Sequence, residues 1–185
     1  MGVNPMHDAV IEWLAGLFPV VPTARSRLTL MFTDIEGFTR CAATGGDGAA
    51  LRLLRRHDRV TLPAIRAYRG RIVKRLGDGL MVAFAEPADA LAAAPGMQDD
   101  LRGSDRLRLR IGIHAGEARV RAGDLVGHDV NVASRIADRA GGGEILVSDR
   151  IRAGADGLGL RFLKRAALLV GGETRIPLFR VATTR

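Results

Sequence analysis

The chain reads as an α/β (α+β) domain with a ferredoxin-like βαββαβ core and additional C-terminal strands and helices. Three observations predict this. An apolar run at residues 28–32 precedes a long helical pattern, a glycine-centred hairpin follows at residues 71–84, and an alanine-rich helical stretch then leads into a strictly alternating strand at residues 107–114. A length of 185 residues suits one domain with a short extension, divided as an N-terminal helix and linker over residues 1–26 and the main domain over residues 27–185.

Composition narrows the class of protein. Hydrophobic residues make up 47% and charged residues 26%, a globular balance. No apolar stretch approaches the ~20 residues needed to cross a bilayer, so no integral membrane segment is expected. The single cysteine, Cys41, excludes an internal disulfide and a cysteine-based zinc cluster, and no secretory signal is visible, which points to the cytoplasm. The formal charge of +8 is carried almost wholly by arginines scattered along the chain, with Lys74 and Lys164 the two lysines. That distribution is a solvated surface, not a nucleic-acid-binding stripe, although its sign also suits a substrate bearing several phosphates.

The elements follow in order. Val10, Ile11, Leu14, Leu17 and Phe18 recur at roughly helical spacing before Pro19 and Pro22, predicting a short amphipathic helix that caps the core. Residues 28–32 (LTLMF) form a buried strand ending at Thr33 and Asp34. Glycines 45, 46 and 48 precede a helix marked by Leu51, Leu54, Ile65 and Tyr68, which Pro63 should kink or split and Gly70 should end. Residues 71–76 and 80–84 are strands joined by Gly77-Asp78-Gly79. Residues 88–101 are helical, with an interruption expected near Pro95 and Gly96. Residues 107–114 (LRLRIGIH) are a strand and residues 118–121 its returning partner. A helix at 129–140 is stopped by three glycines, and strands follow at 144–147, 160–163 and 176–181.

This topology has a chemical consequence. In a split βαβ arrangement the first strand lies antiparallel beside the third, so its C-terminal end meets the hairpin. Asp34 and Asp78 occupy those two places although 44 residues separate them. Taken singly, Asp34 could cap the following helix and Asp78 could be a turn residue. Brought together, the two carboxylates would repel unless cations lay between them, and hard oxygen ligands suit Mg²⁺ or Mn²⁺.

Three segments, FTDIEGFT at residues 32–39, KRLGDG at 74–79 and DLVGHDVNVASR at 124–135, closely resemble the catalytic domain of class III nucleotidyl cyclases. The resemblance runs over about residues 27–182. It implies that Asp34 and Asp78, with the Ile35 carbonyl, bind two Mg or Mn ions, that Lys74 and Asp124 read the purine, and that Asn131 and Arg135 position the ribose and stabilise the transition state. Lys164 matches the family's triphosphate-binding lysine, although Arg165 stands where a glycine usually follows. Gly37, Phe38 and Thr39, between the first strand and a helix, offer free backbone N–H groups to phosphate.

The resemblance implies an adenylyl cyclase that converts ATP to 3′,5′-cyclic AMP and pyrophosphate in a head-to-tail homodimer with two shared sites. Lysine as donor and aspartate as acceptor suit adenine. Guanylyl cyclases of the family usually place Glu and Cys there, which makes guanylyl cyclase the alternative substrate class. A catalytically silent regulatory domain is a second alternative, disfavoured because all six key residues are present. A palm-type polymerase would share the two aspartates but not the third motif.

Overall fold

The computed structural model describes residues 26–99, 107–121 and 124–183. The predicted N-terminal helix lies outside the described residues. Within them the chain forms β1 (Ser26–Ile35), α1 (Phe38–Ala67), β2 (Arg71–Leu76), β3 (Gly79–Phe84), α2 (Pro87–Asp99), β4 (Leu109–Arg121), β5 (Asp124–Val126), α3 (His128–Arg139), β6 (Ile145–Ser148), a 3₁₀ segment (Asp149–Gly154), β7 (Leu160–Val170) and β8 (Thr174–Thr183). One sheet runs in the order β2-β3-β1-β4-β6-β8-β7, with β5 paired to the end of β4. The pairing is antiparallel except between β4 and β6.

Alternation along β1 assigns its side chains to two cores. Met31 and Ile35 face α1 and α2, packing with Ile65, Leu91 and Met97. Leu28, Leu30 and Phe32 face the other way, onto Leu125 of β5 and Val130, Ala133 and Ala137 of α3. By the same parity Thr33 faces α1 and Asp34 faces α3. The helix α3 packs closely because β4 presents Gly112 beneath it, where a Cβ would fall 2.2 Å from the backbone nitrogen of Ala137.

The prolines do not break the helices as predicted. Both α1 and α2 continue through Pro63 and Pro95. A proline inside a helix costs about 3 kcal/mol. Burial of Leu91 and Met97 on α2 contributes roughly 1.5–3 kcal/mol each and outweighs that loss. Pro63 lies on the exposed side of α1, where water can satisfy the carbonyl left without a partner. The real break in α1 is at Gly46, with φ 68° and ψ −178°, and the helix begins earlier than predicted, at Phe38.

Residues 118–121 are also not a separate returning strand. They continue β4, whose Ala118 pairs with Ser26, and the returning partner is β5. At Gly116 the Asp129 side chain fills the space where a Cβ would lie, and the strand passes straight through.

Candidate active site

The antiparallel register of β1 on β3 sets Thr33 opposite Leu80 and brings Asp34 and Asp78 to one end of the sheet. The backbone N–H of Ile35 donates to Asp78 Oδ2 at 3.1 Å. This close approach requires glycine at position 79, since a Cβ there would fall 1.9 Å from the Thr33 carbonyl oxygen. Burial raises the Asp78 carboxyl above the ordinary carboxylate range, the neighbouring Asp34 charge raises it further, and the Ile35 N–H opposes both. Asp34 is ion-paired to Arg110, its direct cross-strand neighbour on β4. The Nε of that arginine is buried without a hydrogen-bond partner.

These features fit a divalent cation. Two partly desolvated carboxylates offer hard oxygen donors, and a like-charged pair of this kind calls for positive charge between its members. Next to it, Gly37 takes the left-handed conformation at φ 73° and caps α1 without any side-chain hydrogen bond. The first turn holds no acidic residue, so Phe38 and Thr39 begin a helix whose N-terminus favours an anion.

A second group forms above the sheet face covered by α3. A β-bulge between Ile72 and Lys74 shifts the register of β2, so that Val73 enters the core on this face while Lys74 also lies opposite Met81 of the same core. Lys74 Nζ then donates to Asp124 Oδ2 at 2.5 Å, with both side chains part-exposed. The other oxygen of Asp124 accepts the Leu125 N–H at 2.8 Å. Residues 50 positions apart are thereby joined as a donor and acceptor pair.

Asn131 and Arg135 lie exposed on α3, while Val132, Ala133 and Ile136 are buried. They share the outward face predicted for them and point away from the sheet that carries Asp34. Lys164 is exposed on the edge strand β7, four strand steps from β1, or about 19 Å at ~4.8 Å per step. The structure therefore unites Asp34 with Asp78 and Lys74 with Asp124, and leaves Asn131, Arg135 and Lys164 apart from the aspartates of their own chain. Arg110 was missed in sequence. Its place in the alternating LRLRIGIH strand, on the parity that faces Asp34, was the available signal.

Residues 20–182 match the family of adenylate and guanylate cyclase catalytic domains. The chain belongs to this family. A pH-sensitive adenylate cyclase of Mycobacterium tuberculosis is 33% identical over 137 residues, covering 71% of this chain and 33% of that protein. The first curated relatives are longer, and the matched stretch spans 16% to 33% of their length. Among solved structures, an adenylyl cyclase from P. aeruginosa superposes with a TM-score of 0.77 at 23% identity, covering 88% of this chain and 97% of that one. A guanylyl cyclase superposes equally well, with a TM-score of 0.77 at 22% identity and coverage of 88% and 95%. The cyclase fold is thus common to both nucleotide classes, and side chains must decide between them. No helix of the described residues is long and apolar enough to cross a membrane.

The paired carboxylates lead to a prediction. A raised carboxyl pKa means that the folded chain binds a proton more readily than the unfolded chain, so without cations stability falls as pH rises through that pKa. Mn²⁺ should take the proton's place, raising the melting midpoint more at about pH 8 than at about pH 5, where protons compete. Scanning calorimetry with and without Mn²⁺ checks this, and a full Mn²⁺ shift in an Asp34→Asn, Asp78→Asn double variant would contradict it.

Proposed function

We propose that this nucleotide cyclase domain is an adenylyl cyclase that converts ATP to 3′,5′-cyclic AMP and pyrophosphate in sites shared between two copies of the chain. The Lys74–Asp124 pair carries the choice of base. Adenine presents an acceptor at N1 and a donor at N6, complementary to an ammonium and a carboxylate, whereas guanine presents the reverse polarity. The bulge in β2 and the β4–β5 hairpin hold the two groups together before any nucleotide arrives.

The remaining residues act on the sugar and phosphates. Asp34, Asp78 and the Ile35 carbonyl would hold divalent cations, which would supply activation of the ribose 3′-hydroxyl and neutralisation of phosphate charge. The N-terminus of α1 at Gly37, Phe38 and Thr39 receives phosphate oxygens through backbone N–H groups. Arg110, paired with Asp34, lies beside the same region and would offer its guanidinium to phosphate oxygens there. Asn131 orients the ribose. Arg135 donates charge-assisted hydrogen bonds to the oxygens on the α-phosphorus, where negative charge grows during in-line attack.

The outward placement of Asn131 and Arg135 supports a shared site. A second copy, docked head-to-tail, offers these residues with Lys74, Asp124 and the edge Lys164 to the first copy's Asp34 and Asp78. The chain supplies both halves, so a symmetric dimer holds two complete sites.

Two experiments test the reading. Exchange of Lys74→Glu with Asp124→Cys removes both adenine partners. At about 1–3 kcal/mol for each mismatched polar group, kcat/KM for ATP should fall at least roughly thirtyfold relative to GTP. An unchanged ATP/GTP ratio would show that the pair does not read the base.

Asp34→Ala and Arg135→Ala should each be inactive alone. When mixed with free subunit exchange, half of the dimers are heterodimers with one intact site of two, so activity should return to roughly a quarter of wild type. Mixed chains that demonstrably exchange and stay inactive would refute the shared site.

A further inference from the structure

Behind the two aspartates lies a buried polar network with no role in the chemistry above. Thr33 immediately precedes Asp34, and its side chain points to the opposite face, toward α1. Its Oγ1 accepts the Leu80 N–H at 3.1 Å and lies 3.3 Å from Nε2 of His57. Leu80 stands opposite Thr33 in the β1–β3 register and two residues beyond Asp78. His57 is fully buried on α1, with Nδ1 3.0 Å from Asp58 Oδ1. Arg75 of β2 closes the circuit, donating to both oxygens of Asp58 at 3.0 and 2.9 Å. Arg75 in turn pairs with Leu80 across the β2–β3 hairpin.

The network has a definite proton order. The Asp58 carboxylate can only accept, so the imidazole proton sits on Nδ1 and is donated to Asp58. In the neutral ring His57 Nε2 is then an acceptor and takes the hydroxyl hydrogen of Thr33. Burial lowers the imidazole pKa, with Asp58 opposing, which agrees with a neutral ring. Strands β1 and β2 are thereby tied to His57 and its neighbour Asp58, and β3 is tied to Thr33.

That tie opposes a specific force. Asp34 and Asp78 repel each other, and their strands meet at a turn whose Gly77 has φ 62° and whose Gly79 has no side chain to pack. Beyond the β1–β3 ladder itself and the Ile35 N–H to Asp78 bond, the Leu80 N–H to Thr33 Oγ1 bond links β3 to β1 at this end, and His57 holds that hydroxyl in place from α1. We propose that His57 is a positioning residue for the carboxylate pair, fixing the separation of Asp34 and Asp78 through Thr33 and Leu80 and so setting the affinity of the site for its cations. The inference rests on the cyclase reading given above.

The experiment uses the full chain and four proteins: wild type, His57→Asn, His57→Gln and Asp58→Asn. Two curves are recorded for each, cyclisation of saturating ATP against free Mn²⁺, and Mn²⁺ binding by electron paramagnetic resonance with 3′-deoxy-ATP, which lacks the attacking hydroxyl. Asparagine keeps a group near Asp58 but does not reach Thr33. Misplaced reacting groups cost up to about a hundredfold, so His57→Asn should lower kcat ten- to a hundredfold and raise the Mn²⁺ half-saturation about tenfold in both curves, with KM for ATP within about threefold. Glutamine reaches the Nε2 position and should restore both curves to within about threefold of wild type. Asp58→Asn loosens the same clamp from its part-exposed end and should shift Mn²⁺ half-saturation in the same direction, which keeps the test alive if His57→Asn does not fold.

A purely structural histidine would lower the melting midpoint and the active fraction while leaving Mn²⁺ half-saturation where it was. Unshifted Mn²⁺ curves in the folded variants, beside an active wild type, overturn the proposal alone. A wild type that does not cyclise ATP overturns the cyclase reading, and the proposal with it.

Discussion

Pairing β1 with β3 forces two carboxylates into one small volume, and much of the site is arranged around that repulsion. Thr33 opposite Leu80 leaves Asp34 and Asp78 at the same sheet end, partly removed from water. Charge there is managed three ways. Arg110 pairs with Asp34 from the next strand, the Ile35 N–H donates to Asp78, and the His57 network stiffens the strands from behind. None of these cancels two negative charges at once. Positive charge placed between the two carboxylates would relieve that repulsion, which is what the proposed cation site rests on.

The second theme is incompleteness within one chain. The helix α3 spends its apolar side on the sheet and turns Asn131 and Arg135 outward, and the edge strand β7 holds Lys164 far from the aspartates. The open cleft of about 820 Å³ lined by Arg27, Glu86, Glu117, Asp129 and Arg150 lies at the opposite end of β1 from Asp34, so it is not the missing part of the site. Nearby, His114 bonds Ser148 at 2.7 Å, and both side chains are buried beyond reach of a substrate, which makes them a polar brace between β4 and β6. That outward placement of Asn131 and Arg135 is what the proposed shared site between two copies rests on.

Much of this was legible in the sequence because it depends on short-range rules. The βαββαβ order alone placed Asp34 beside Asp78, and helical spacing alone put Asn131 and Arg135 on one face of α3. Motif resemblance paired Lys74 with Asp124, a contact that spacing could not reach because it needs a bulge and a folded-back hairpin. The errors came where tertiary packing outweighed a local signal. Pro63 and Pro95 stayed inside helices that burial or solvent exposure could sustain, and residues 118–121 extended β4 along β1 instead of turning back. Arg110 and His57 escaped notice because their partners are defined by strand register and by the opposite sheet face, which a linear reading weighs only after the fold is drawn.

Product analysis tests the central claim most directly. The full chain is incubated with Mn²⁺ and either ATP or GTP, and products are separated and identified by mass. The account predicts 3′,5′-cyclic AMP and pyrophosphate in equal amounts, with ATP preferred by roughly thirtyfold or more, as two matched polar contacts of about 1–3 kcal/mol each require. Preferential formation of cyclic GMP, or release of linear AMP or ADP without cyclisation, would contradict it.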